Sequence, residues 1–184
     1  MTIIKHENIH WMAIAKRDSG FTLLELLVVM AIVGIVGTIA LPSFRTQIQN
    51  ENASSGTRYF ANSIGIARSS AIKLGTPVVM CASASGTTCS GDWEDGWLVF
   101  QDDDRDDQFD SDESVLRRHV GENPNLSISV DSVAGNELDR MSFNFRGLPG
   151  VSFDVSVSSG SAEYGLSINA FGKTRLIKES ADAN

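Results

Sequence analysis

The chain has 184 residues, 42% of them hydrophobic and 21% charged, with a formal net charge of -8 at pH 7. That length holds one folded domain of ordinary size beside a single membrane-length segment. The negative average field argues against a general nucleic-acid or anionic-membrane surface. The charge is localised, however: eight acidic residues and one arginine lie between Asp102 and Glu113, a local charge of -7, and the chain after Gly20 carries only -2 outside that loop.

Residues 1 to 20 are mixed and polar, and the apolar stretch begins only after Gly20. An ordinary secretory signal carries its apolar core before the cleavage point, so this helix is expected to be kept. Phe21 to Leu41 would form about 32 Å of helix, enough to cross the hydrocarbon core of a bilayer. Lys16 and Arg17 precede it and place the N-terminal side in the cytoplasm, with everything after Leu41 exported. Met12 is an alternative start that leaves a shorter leader, and the sequence keeps both open. Within the span only Glu25 is charged. A charge there costs about 2.5 to 3.5 kcal/mol on insertion scales, so it calls for a partner or a purpose.

The string Lys16-Arg17-Asp18-Ser19-Gly20-Phe21-Thr22-Leu23-Leu24-Glu25-Leu26-Leu27-Val28-Val29-Met30-Ala31-Ile32 resembles the processing and methylation site of type IV pilins and type II secretion pseudopilins. The resemblance implies that a prepilin peptidase cuts between Gly20 and Phe21 and methylates the new amino group of Phe21. It also implies that Glu25 meets the N-terminal ammonium of a neighbouring pilin when helices stack. A pair of that kind offsets the burial of both charges, and losing one partner leaves the other uncompensated. The plainer alternative is a signal anchor whose Glu25 reaches back to the interface.

Pro42 removes a backbone donor and is expected to kink a continuing helix rather than end it. Beyond it, Ala53, Gly56, Phe60, Ile64, Ala67, Ala71 and Leu74 recur at intervals of three and four, the mark of one buried helix face. The pattern predicts one long helix from Phe21 to Leu74, with two separate helices as the alternative. Gly56 and Gly65 are expected to weaken it locally.

Gly75-Thr76-Pro77 punctuates the change to strands. Thr76 to Ala82 and Gly96 to Gln101 are dense enough for strands, the second buried on both faces. Period-two alternation follows at Leu126, Ile128, Val130; at Met141, Phe143, Phe145; at Val151, Phe153, Val155, Val157; and at Leu166, Ile168, Ala170. The expected fold class is α+β: a long N-terminal helix, transmembrane and then amphipathic, packed on an antiparallel β-sheet domain of type IV pilin-like form. Its divisions are 1–20 as leader, 21–41 as transmembrane or filament-core helix, 42–75 as amphipathic continuation and 76–184 as exported domain. The last residues, from Ser180, read as frayed.

Cys81 and Cys89 flank a small polar loop, Ala-Ser-Ala-Ser-Gly-Thr-Thr. In an exported domain such a pair favours a disulfide, worth about 2.5 kcal/mol in the chain-entropy model. The rival reading, two ligands of a metal, lacks local histidine partners. The order Cys81, Cys89, Gly91-Asp92-Trp93, Gly96-Trp97-Leu98-Val99-Phe100 and then an acidic loop resembles a narrower group, the GspH/FimT family of minor pseudopilins and minor pilins. Phe143-Asn144-Phe145-Arg146-Gly147 and Gly172-Lys173-Thr174-Arg175 resemble that family's strand ends. Membership implies a structural subunit that primes or caps a type IV pilus or a type II secretion pseudopilus, and it leaves the choice between those machines open. The implied partners are other pilins, the prepilin peptidase and the bacterial inner membrane, and no cofactor is required.

Asp102, Asp104, Asp106, Gln108, Asp110 and Glu113 occupy places one, three, five, seven, nine and twelve of a calcium loop. Against that reading, Asp107 stands where glycine is expected at place six, and a strand precedes the loop. The alternative is a solvated acidic run. Catalysis is not expected: of three histidines two lie before Gly20, leaving His119, and no nucleophile and base are placed together. The second functional class is DNA uptake. Some FimT-like proteins use a basic Gly-Arg-x-Arg stretch, which Gly172-Lys173-Thr174-Arg175 with Lys178 approximates. Lys173 departs from that pattern, and a solvated surface is the plainer reading.

Overall fold

The computed structural model describes residues 20–121 and 123–179. The expectations about the leader, its two candidate starts and the frayed end from Ser180 lie outside the described residues. The chain divides into two compact units, 1–41 and 42–184.

Helix α1 runs from Leu23 to Leu74 and passes through Pro42. In the first unit Thr22 caps it: the amide of Glu25 donates to Thr22 Oγ1 at 3.2 Å, and that of Leu26 to the Thr22 carbonyl at 3.2 Å. A threonine at this position satisfies amides that have no partner inside the helix. From Leu23 through Val36 the large apolar side chains are exposed.

In the second unit, α1 buries Ala53, Gly56, Thr57, Phe60, Ser63, Ile64, Ala67 and Ala71, which is the predicted face widened by two small polar residues. Leu74, predicted on that face, is 44% exposed at the last residue of the helix, beyond Ala71, the last buried residue of that face. Gly56 is a point of close approach: a Cβ there would lie 2.7 Å from Leu126 Cδ2 and 3.2 Å from Val157 Cγ1.

Eight strands follow: β1 Val78–Ala82, β2 Gly96–Gln101, β3 Val115–Val120, β4 Ser127–Ser132, β5 Arg140–Phe143, β6 Phe153–Ser159, β7 Ala162–Ile168 and β8 Thr174–Glu179. They make two antiparallel sheets rather than one, ordered β3-β2-β1-β5 and β4-β6-β7-β8. β3 falls outside the predicted strands, and β8 begins within Gly172-Lys173-Thr174-Arg175, the stretch that the resemblance places at a strand end. β3 reads Val-Leu-Arg-Arg-His-Val and sits half-buried at a sheet edge, so its sequence need not alternate. Phe145, Val151 and Ala170, predicted inside strands, are exposed in turns instead.

The two central strands of the first sheet are buried on both faces, which explains the unbroken apolar runs of β1 and β2. Val78, Met80, Trp97 and Val99 join the main core with Phe60, Ile64 and the second sheet. Val79, Cys81, Leu98 and Phe100 form a smaller core on the opposite face, covered by Cys89, Phe109 and Val115. Phe60 meets Trp93 and Trp97 edge to face, at ring separations of 5.3 and 5.1 Å. Trp97 Nε1 donates to Ser63 Oγ at 2.8 Å, so the buried indole and the buried hydroxyl satisfy each other.

Candidate functional site

Three regions carry the residues that the sequence singles out. At the N-terminus, Gly20 and Phe21 are exposed and precede the helix, and Glu25 occupies its first turn. Thr22-Leu23-Leu24-Glu25 has the spacing of a capping box, a second reason for a carboxylate at this place that the sequence itself carries. A carboxylate there is also favoured by the unpaired amides of the helix start. The segment is long and apolar enough to cross a membrane.

The second region covers the outer face of the first sheet. Cys81 and Cys89 form the expected disulfide, with Cα atoms 5.5 Å apart. Next to it the acidic loop is rooted in the small core, where Phe109 packs edge to face on Phe100 at 5.2 Å. Asp102 is 1% exposed, and its Oδ1 accepts from the amides of Arg105 at 2.8 Å and Asp106 at 3.2 Å. Glu113 closes the loop: its Oε1 accepts from the amide of Asp103 at 3.0 Å and its Oε2 from that of Asp110 at 3.1 Å.

Asp102, Asp104 and Asp106 each bring a carboxylate oxygen to within 4.8 Å of the others. Asp107, at the place where glycine is expected, has φ 58°, the left-handed conformation that glycine would supply. Arg140 Nη1 donates to its carbonyl at 2.7 Å. Gln108 donates its amide to Asp106 Oδ1 at 2.7 Å, and its side chain and that of Asp110 are exposed. The pKa values of Asp102 and Glu113 stand above the usual carboxylate range, first because burial disfavours the charged form and then because neighbouring aspartates repel it.

The third region joins two turns that are distant in sequence. In one, Asn144 Oδ1 accepts from the amides of Arg146 at 2.9 Å and Leu148 at 3.2 Å; in the other, Asn169 Oδ1 accepts from those of Phe171 at 3.1 Å and Lys173 at 2.9 Å. Each ends on a glycine with positive φ, Gly147 at 71° and Gly172 at 70°. Arg68 of α1 grips both, donating from Nε to the Gly147 carbonyl at 2.9 Å and from Nη1 to that of Gly172. Lys173 and Arg175 are exposed there, together with Phe145, Arg146 and Phe171, while Lys178 lies further along β8. Sequence reasoning missed Arg68, Phe145 and Arg146 as neighbours of the basic stretch. The repeated Asn-x-x-Gly was visible, but nothing local says that one arginine spans both copies.

A family model described as Type II transport protein GspH matches residues 57–172, and one described as a prokaryotic N-terminal methylation motif matches residues 15–41. Among solved structures the chain is similar to the type IV minor pilin FimU of Pseudomonas aeruginosa, at 17% identity over 71% of this chain and 94% of that one, with a TM-score of 0.50. It is also similar to the minor pseudopilin EpsH of the type 2 secretion system of Vibrio cholerae, at 10% identity over 72% of this chain and 99% of that one, with a TM-score of 0.52. Identities this low establish a shared fold. No curated protein sequence matches the chain.

Proposed function

The chain belongs to the GspH family and is a minor pilin or pseudopilin in kind, and we propose that it primes or caps a filament, in a type IV pilus or a type II secretion pseudopilus. It is a structural subunit on this reading, not a catalyst. The observation that carries it is the joining of a methylation-type N-terminus, with Glu25 in the first turn of an apolar helix, to a GspH-type domain. Prepilin peptidase would cut between Gly20 and Phe21 and methylate Phe21. The chain would then wait in the inner membrane with its domain in the periplasm, until Glu25 pairs with a neighbouring subunit. Mass spectrometry of the chain made together with a prepilin peptidase tests this: residues 1 to 20 should be absent and Phe21 should carry one methyl. Filaments that contain the uncut chain would overturn it.

The acidic loop belongs to the same proposal as a calcium loop. Its support is the left-handed backbone at Asp107, the three converging carboxylates and the doubly hydrogen-bonded Glu113 at the closing place. Asp102, Asp104, Asp106, Gln108, Asp110 and Glu113 would supply the oxygens that a hard cation prefers.

A second reading, DNA capture during uptake, is favoured by one observation. Exposed Phe145 and Phe171 stand on the paired turns with Arg146 and Lys173, and Arg175 follows at the start of β8; single strands are held by aromatic stacking beside cations. Gel-shift titration with single-stranded and duplex DNA at low and moderate salt tests it. Binding that weakens steeply with salt and is lost in a Lys173→Ala, Arg175→Ala double variant would favour uptake over assembly alone.

A further inference from the structure

Strand β8 is an edge of the second sheet, paired only to β7. Two other sheet edges are covered by the chain itself. On the outer side of β4 the amide of Leu138 donates to the Val130 carbonyl at 2.8 Å, and on that of β5 the amide of Gly150 donates to the Ser142 carbonyl at 3.0 Å. No such bond reaches the outer side of β8 among the described residues. The preceding turn sets the direction of its free groups. Asn169 donates its amide to the Lys173 carbonyl at 3.3 Å, so Lys173 faces β7. Bonded and non-bonded pairs alternate along an antiparallel ladder, so Arg175 and Ile177 bond to β7 while Thr174 and Leu176 point their backbone groups away from it.

The side chains of this edge are open as well. Leu176 stands opposite Leu166, on the face of the sheet where Leu166 and Ile168 enter the main core. Leu166 is 2% exposed, whereas Leu176 is 58% exposed. On the other face Ile177 is 43% exposed opposite Gly165, which has no side chain to cover it. The core-facing layer of the sheet thus runs out at β8. A free edge with exposed apolar residues on both faces is a template for one more strand.

Charge selects the strand. Lys173 and Arg175 are exposed, and their side chains have no hydrogen bond or ion pair among the described residues. Opposite charges across a strand pair attract and like charges repel, so these two cations reject a basic strand and favour an acidic one. A second copy offers no match, because its open edges are β8 again and β3, which carries Arg117 and Arg118. We propose that β8 receives an extended acidic segment of a pilin of another kind as a fifth strand of its sheet, with an apolar residue beside Leu176 and a carboxylate beside Arg175. Main-chain bonds would supply the affinity, and the alternating side chains the choice of partner. The proposal rests on the filament-subunit reading above.

The test compares the full chain alone in detergent with the same chain co-purified with the other pilins of its filament system. Hydrogen exchange resolved to single amides should slow about tenfold at Leu176 in the second sample, the scale of one backbone hydrogen bond. Leu176→Pro removes an outward amide, which an edge strand tolerates, and Arg175→Glu reverses a charge; each should lower co-purification about tenfold. Carbodiimide should couple Lys173 to a carboxylate of another pilin, identified by mass spectrometry of the linked peptide. Equal exchange at Leu176 in both samples, or a linked peptide from a second copy of this chain, would overturn the proposal. Protection of Leu176 by single-stranded DNA and not by pilins would give the edge to nucleic acid and overturn it too. The two readings fail separately: a chain that co-purifies with Leu176 unprotected loses only the fifth strand, whereas a chain that no pilin retains removes the filament reading and the proposal with it.

Discussion

Arg68 Nε donates to the carbonyl of Gly147 at 2.9 Å, across 79 residues of chain, and the same guanidinium reaches the carbonyl of Gly172. One side chain of α1 therefore fixes a turn that leaves the first sheet at β5 and a turn inside the second, between β7 and β8.

Arg68→Ala should destabilise the chain by about 2 kcal/mol, since it removes charge-assisted hydrogen bonds and leaves two carbonyls short of a donor. Urea denaturation measures the loss, and hydrogen exchange should quicken in residues 144–148 and 169–173 together. Acceleration in only one turn would mean that Arg68 does not couple them.

Gly56 and Gly65 should respond in opposite directions. Gly56→Ala places a methyl 2.7 Å from Leu126 Cδ2 and should cost about 1 to 3 kcal/mol. Gly65 faces open space, so Gly65→Ala should stabilise by about 0.5 to 1 kcal/mol through helix propensity. Thermal melts of the two variants decide the matter.

Glu25→Ala should leave the chain membrane-inserted and cleaved while impairing its incorporation into filaments. Glu25 is exposed and its carboxylate has no ion pair among the described residues, so the folded domain should melt unchanged. Normal incorporation of the variant would remove the pairing role from Glu25.

Calcium should raise the melting temperature and slow proteolysis between residues 102 and 113, and Asp102→Asn should abolish both effects. The pH dependence has a definite sign. Asp102 and Glu113 have folded pKa values raised above the ordinary ones, so the metal-free folded state binds protons more readily than the unfolded one. Its stability should therefore rise as pH falls through the window between the two values, and fall as pH rises through it. Calcium competes with those protons, so its stabilisation should fade over the same acid range.

Replacing both Cys81 and Cys89 by serine should cost about 2.5 kcal/mol. The loss should be read beside the acidic loop, because Cys81 and Cys89 share the small core with Phe109. Faster proteolysis at residues 102–113 in the double variant would show that the disulfide supports the loop.

What the sequence determined by itself was whatever depends on residues close along the chain. The apolar span and its lone carboxylate, the three-and-four spacing from Ala53 to Ala71, and the alternation through Val155 and Leu166 are local patterns with local causes. The calcium-like spacing from Asp102 to Glu113 was local too, but the left-handed conformation at Asp107 was not legible, since aspartate tolerates that region without requiring it and the Arg140 contact to its carbonyl comes from a distant strand. Tertiary structure alone decided the division into two sheets, the strand role of Val115 to Val120 at a half-buried edge, and the meeting of Arg68 with two glycine carbonyls. It also turned Gly56 from an expected weak point into a contact with Leu126. Each of these depends on which surfaces meet across long stretches of chain, and a contact that needs both partners in place leaves no periodicity in either one.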